Sequence, residues 1–173
     1  AIEDAGGLDN YSPYRIAIVL GSGMGGFATF ESSALRRFQD RSIPTFTVPR
    51  IMANSAGAWI ATKYGFKGTN LTCSTACSSG ANAIGIGLDL LRSGRADAVI
   101  VGGAEACVLP LTMTGFEALH ALSTGFNDQP QRASRPFAKG RDGFVMGEGA
   151  GVLILEKQSN AEGRGAKTYV QLA

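Results

Sequence analysis

Three cysteines and a single histidine are the side chains of widest chemical reach in these 173 residues. Cys73 and Cys77 lie in the run Leu71-Thr72-Cys73-Ser74-Thr75-Ala76-Cys77-Ser78-Ser79-Gly80. Their spacing is not Cys-x-x-Cys, and with one histidine no zinc cluster is expected. Cysteine nucleophilic catalysis remains open. It needs a base or cationic partner and donors for an oxyanion. Residues Thr69 to Thr75 read as a short buried strand. The run from Ser79 to Arg92 reads as a helix, apolar on nearly every side and therefore buried. Ser78, Ser79 and Gly80 suit its first turn. Cys77 thus stands between a strand and a helix N-terminus, where free N–H groups and the helix dipole favour negative charge on sulfur. The same N–H groups suit a developing oxyanion. The competing reading is a small buried hydrophobe, which is also the reading for Cys73. Glu105, Asp142 and Glu148 sit in glycine-rich turns, and acids there are expected to bond backbone N–H groups rather than move protons. His120, alone beside apolar residues, reads as a packed or surface residue.

The elements that position these residues alternate. Arg15 to Leu20 reads as a buried parallel strand, Phe27 to Gln39 as a helix, Arg41 to Pro49 as a loop, and Ile51 to Lys63 as a second helix stopped at Gly65. Ala96 to Gly102 is a further strand, followed by a turn at Gly103 to Cys107. Met113 to Leu122 reads as a short helix. Ser123 to Gly143 is a long irregular loop, the kind that is usually functional in a compact domain. A glycine turn at Gly147 to Gly151 leads into the strand Val152 to Leu155, then a polar helix over Ser159 to Lys167 and a last strand over Thr168 to Leu172. Strand–helix alternation argues an α/β fold. Gly21-Ser22-Gly23-Met24-Gly25-Gly26 has the spacing of a dinucleotide fingerprint, but that fingerprint needs an acid closing a second strand. Asp40 has nearly the right distance and follows a helix instead. The loop reads as a tight turn in which Met24 is the one large side chain.

Bulk properties narrow the class. The chain is 45% apolar and only 17% charged, below the roughly one quarter usual for globular chains, which fits a buried sheet. A net charge of +2 is too small to argue for nucleic acid. No apolar run reaches a membrane span. An odd number of cysteines fits a reducing, cytoplasmic setting. The first residues show no signal peptide and resemble the end of a helix, so the chain is expected to begin inside a larger protein.

Ser74-Thr75-Ala76-Cys77-Ser78-Ser79-Gly80 resembles the active-site segment of β-ketoacyl-acyl carrier protein synthases, the elongating condensing enzymes of fatty acid and polyketide synthesis. Gly21–Gly26, Val101–Glu105, Gly115-Phe116 with Ala121-Leu122-Ser123, Ser134–Phe137 and Arg141–Gly151 are similar to family segments in the same order. The resemblance implies a thiolase-like α-β-α-β-α layered sandwich. Residues 1–173 would be one partial domain, mainly the N-terminal half of that fold with the lead into the second. It implies Cys77 as acyl acceptor. Met24, Cys107, Thr112 and Phe116 match positions that line or gate the acyl pocket. His120 and Arg41 fall on the surface that meets acyl carrier protein, and His120 matches neither catalytic histidine of the family. No cofactor is implied. The implied partners are acyl and malonyl carrier proteins and a second copy of the chain, paired through the Thr69–Thr75 strand. The alternative is a truncated, non-catalytic module for dimerisation or carrier binding.

Overall fold

The computed structural model describes residues 1–172. Its centre is a four-stranded mixed sheet ordered β2-β1-β3-β4. The strands are β1 (Ile16–Gly21), β2 (Asn70–Cys73), β3 (Ala98–Glu105) and β4 (Gly149–Glu156). β2, β1 and β3 run parallel, and β4 returns antiparallel to β3. Side chains alternate across a strand, so β1 feeds two cores. Ala17 and Val19 face α4 (Ser79–Arg92) with Val99, Val101, Ala83, Leu90 and Leu91. Ile16, Ile18, Leu20 and Ile100 face the other way, against Leu8 and against Ile60 and Ala61 of α3 (Ser55–Tyr64). Ile16, Ile18, Val19, Val99, Ile100 and Val101 are fully buried; each contributes about 1.5–3 kcal/mol. The result is three layers, helix on sheet on helix, of the five expected. Arg15 closes the lower end of the sheet, donating through Nη2 to Asp97 at 2.8 Å and to the Gly94 carbonyl at 2.7 Å.

The remaining helices are α1 (Phe27–Phe38), α2 (Thr47–Ile51), α5 (Pro110–Ala118) and α6 (Gln158–Gly163). Several expectations are corrected. The loop expected over 41–49 turns helical at Thr47, because Pro49 falls in the first turn of α2, where its missing N–H is not needed. The single helix expected over 51–63 is broken between α2 and α3, and Gly65, at φ 69°, ends α3 as expected. The turn expected at Gly103–Cys107 and the one at Gly147–Gly151 are largely strand. Their glycines permit close pairing rather than reversal: a Cβ on Gly102 would lie 2.0 Å from the Gly151 carbonyl oxygen. α5 starts three residues early, with Pro110 at its first position, and ends before His120. No strand forms over Thr168–Leu172. β2 is an edge strand with Asn70 and Leu71 exposed, not a buried one, and α4 buries only the face turned to the sheet. The positions α4 leaves exposed are the small or polar Ala81, Asn82, Gly85, Asp89 and Arg92.

Candidate active site

β2 ends at Cys73, and the chain must reverse within five residues to enter α4. Ala76 adopts φ 53° to do so, a left-handed conformation that costs an L-residue about 1–2 kcal/mol. Ser79, itself buried, holds it there. The Ser79 hydroxyl accepts the Thr75 N–H at 2.9 Å and donates to the Ala76 carbonyl at 2.6 Å. Ser78 Oγ donates to the Thr75 carbonyl at 2.8 Å. Cys77 is carried at the apex of this braced turn and is exposed. Among the described residues its N–H has no acceptor. An accessible sulfur thus stands beside an unengaged N–H, outside the carboxyl ends of parallel strands, where α/β sheets bind ligands. Cys73 is half-buried against the core, its thiol 3.2 Å from the Ser79 carbonyl.

The glycine turn that follows β1 packs against this one. A Cβ on Gly21 would sit 2.2 Å from the Ser79 carbonyl carbon, and one on Gly26 would sit 1.7 Å from the Arg50 carbonyl oxygen, so both positions require glycine. Ser74 Oγ donates to the Gly23 carbonyl at 3.3 Å. Met24 rides on this turn, 37% exposed. The N–H groups that would cradle a nucleotide phosphate are already engaged: Glu105, at the end of β3, accepts Gly23 N–H at 2.6 Å. Asp40, the one acid at nearly fingerprint spacing, sits after α1 beside Arg37. The dinucleotide reading therefore has neither of its parts.

Cys107 and Thr112 meet at the start of α5. Thr112 Oγ1 donates to the Cys107 carbonyl and accepts the Leu109 N–H at 3.2 Å. Cys107 is buried, and burial, with the Glu105 and Glu148 carboxylates, pushes its thiol up. Phe116 packs edge-on against Phe144, ring centres 5.1 Å apart. The three acids do bond backbone N–H groups, as expected. Glu148 takes Val108 N–H at 2.9 Å. Asp142 takes the Ser123 hydroxyl at 2.6 Å and the N–H groups of Gly125 and Thr124, which together hold its carboxyl below the ordinary range. Asp142 thereby pins the start of the long loop to its end. Arg41 and His120 are exposed and share no hydrogen bond with Cys77, Met24 or each other among the described residues. A hollow of about 980 Å³ is lined by Arg135, Phe137, Lys139, Arg141 and Phe144; Cys77, Met24, Cys107 and Thr112 are not on its wall.

Two contributors were not foreseen from sequence. Glu31 of α1 accepts the Leu111 N–H at 2.7 Å and ties α5 to α1, and Ser79 braces the cysteine turn. Ser79 was visible as a small polar residue at a helix start; Glu31, eighty residues away from its partner, left no local signal.

The family described as "Beta-ketoacyl synthase, N-terminal domain" matches residues 1–161. A 3-oxoacyl-[acyl-carrier-protein] synthase 2 of Vibrio harveyi is 42% identical over 99% of this chain and 42% of its own length. The mitochondrial 3-oxoacyl-[acyl-carrier-protein] synthase of Arabidopsis thaliana is 41% identical over 91% of this chain and 35% of its own. Among solved structures, a chain from a type II polyketide acyl-carrier protein in complex with its ketosynthase, bound to the hexaketide, superposes with a TM-score of 0.89. It shows 34% identity over 96% of this chain and 43% of that one. A β-ketoacyl synthase from Burkholderia phymatum gives 0.83 at 31% identity, covering 96% and 41%. The chain therefore spans about two-fifths of the length of the relatives it matches.

Proposed function

Since the chain belongs to the β-ketoacyl synthase family, as its N-terminal domain, we propose that it carries the nucleophile of a 3-oxoacyl-acyl carrier protein synthase, with residues 1–173 as part of one larger thiolase-like domain. Cys77, as thiolate, attacks the thioester of an acyl carrier protein or acyl coenzyme A. The carrier's phosphopantetheine sulfur leaves as a thiolate and takes its proton from water, and the acyl group stays on the Cys77 sulfur. Malonyl carrier protein then loses carbon dioxide, and the resulting carbanion attacks the Cys77 thioester. A new carbon–carbon bond forms, and Cys77 leaves as thiolate. The Cys77 N–H supplies one donor to the oxyanion; preorganised donors of this kind are worth about 3–4 kcal/mol each.

The single observation that carries this reading is the braced turn that holds Cys77 exposed with its N–H unengaged. A non-catalytic module would not need it, and that alternative is not favoured. Met24, Cys107, Thr112 and Phe116 are assigned to the acyl pocket, and Arg41 and His120 to the carrier-protein surface. The second catalytic half, with the family's histidine pair, belongs to the part of the relatives' length outside this chain. The complete enzyme is assigned to the cytoplasm as a homodimer paired through β2. No helix of the described residues is long and apolar enough to cross a membrane.

The test is condensation by the full-length protein, given acyl and malonyl carrier proteins and followed as carbon dioxide and ketoacyl product. Cys77→Ala should lose activity by several orders of magnitude, and residues 1–173 alone should give no product. Condensation that survives Cys77→Ala would refute the proposal.

A further inference from the structure

Glu105 has no task in the reaction just described, yet it is the most engaged carboxylate near Cys77. It stands at the last residue of β3, where its backbone pairs with Gly149 of β4. From there it accepts Gly23 N–H at 2.6 Å, the Ser22 hydroxyl at 3.2 Å and Met24 N–H at 3.4 Å. Ser22 Oγ in turn accepts Gly25 N–H at 2.8 Å. The N–H groups of Gly23, Met24 and Gly25 are thus gathered on one carboxylate, directly or through one hydroxyl. Successive N–H groups on a concave turn make an anion-binding nest. Here the anion is part of the chain, fixed to the rigid end of a central strand. Bonds to an ionised acceptor are about twice as strong as neutral ones, so the turn has one defined position.

That position matters at both ends of the turn. The Gly23 carbonyl receives the Ser74 hydroxyl, three residues before Cys77. Met24 is the one large side chain in a stretch otherwise made of glycine and serine. We infer that Glu105 is a positioning residue: it fixes Met24 against the acyl chain carried by Cys77 and so sets which acyl lengths the enzyme accepts. The inference rests on the function proposed above. A shift in the apolar contact equivalent to one methylene changes selectivity about 10–200-fold, so a turn released by its anchor alters discrimination before it alters chemistry.

The experiment compares wild type, Glu105→Ala and Glu105→Gln of the full-length protein. Acetyl and decanoyl carrier proteins serve as donors, and amide hydrogen exchange is read at Gly23 and Met24. In Glu105→Ala the ratio of decanoyl to acetyl kcat/KM should change about tenfold, mainly through KM, and the two amides should exchange about tenfold faster. Glu105→Gln keeps an oxygen for the Gly23 N–H and should recover part of both effects; if Glu105→Ala does not fold, Glu105→Gln against wild type carries the comparison. Equal losses with both donors, following the loss of folded protein, would overturn the inference, as would unchanged exchange. Wild-type protein that takes no acyl group onto Cys77 would overturn the proposed function and the selectivity with it. A normal wild type with unaltered variant selectivity would overturn the role of Glu105 alone.

Discussion

Ala76 at φ 53° is a strained residue kept in place by the two hydrogen bonds of Ser79, and the exposure of Cys77 depends on that arrangement. Nothing in an alanine announces a positive φ, so the turn's exact shape was hidden in the sequence, although its place between strand and helix was legible. The reading of Glu105, Asp142 and Glu148 as backbone acceptors held because carboxylates among glycines have few other partners. Which N–H each one takes is set by tertiary packing and was not readable. A second residue-scale cluster lies far from the cysteine. Arg164 Nε donates to Glu156 at 2.8 Å, both side chains are nearly buried, and Tyr11 donates to the same carboxylate at 2.6 Å. Burial alone would raise the Glu156 carboxyl, but Arg164 and Tyr11 outweigh it and hold it low. Burial and the Glu156 charge push the Tyr11 hydroxyl up to about 12. A carboxyl held below its unfolded value stabilises the fold above that value and loses the contribution as pH falls through the depressed one. The thermal stability of the full-length protein should therefore fall below about pH 4, and Glu156→Gln should flatten that acid limb. At neutral pH Glu156→Gln should cost about 3 kcal/mol, since it leaves Arg164 buried without its counter-charge. An unchanged acid limb in Glu156→Gln would remove the pair from the account.

Elements with a clean period were legible: β1, α1 and α4 fall close to where the hydrophobic pattern puts them. The glycine-rich ends of β3 and β4 were misread, because glycine marks a turn and a close backbone approach with the same letter. Gly103 and Gly151 pair across adjacent strands, and Gly21 lets β1 press against the first turn of α4. This last contact sets the distance between the glycine turn and the cysteine turn. Gly21→Ala puts a methyl carbon where 2.2 Å is available, and overpacking of that kind costs about 1–3 kcal/mol. The variant should melt earlier, and its Cys77 should react with iodoacetamide at a changed rate while urea-unfolded protein reacts as wild type does. Wild-type stability together with wild-type alkylation would show that the two turns are not coupled through Gly21.

At the scale of the whole molecule, three layers are visible and two faces ask for cover. β4 leaves Val152 36% and Leu153 51% exposed, and β2 presents an exposed edge with Leu71 44% accessible. Apolar composition pointed to burial of β2 and of α4 on nearly every side, whereas among the described residues β2 is an exposed edge and α4 is buried on one face. An unpaired edge strand invites pairing. Light scattering on the full-length protein should give twice the monomer mass, and Leu71→Lys should shift it toward monomer; an active, strictly monomeric wild type would contradict the β2 pairing. The central claim is chemical, and acyl transfer without condensation tests it most directly. Full-length protein is incubated with an acyl carrier protein and no malonyl donor, digested and mapped by peptide mass. The account predicts one acyl group per chain on the peptide that holds Cys77, with Cys107 free and the acyl-bearing fragment ions placing it on Cys77 rather than Cys73. Acyl on Cys73 or Cys107 with Cys77 unmodified would contradict it.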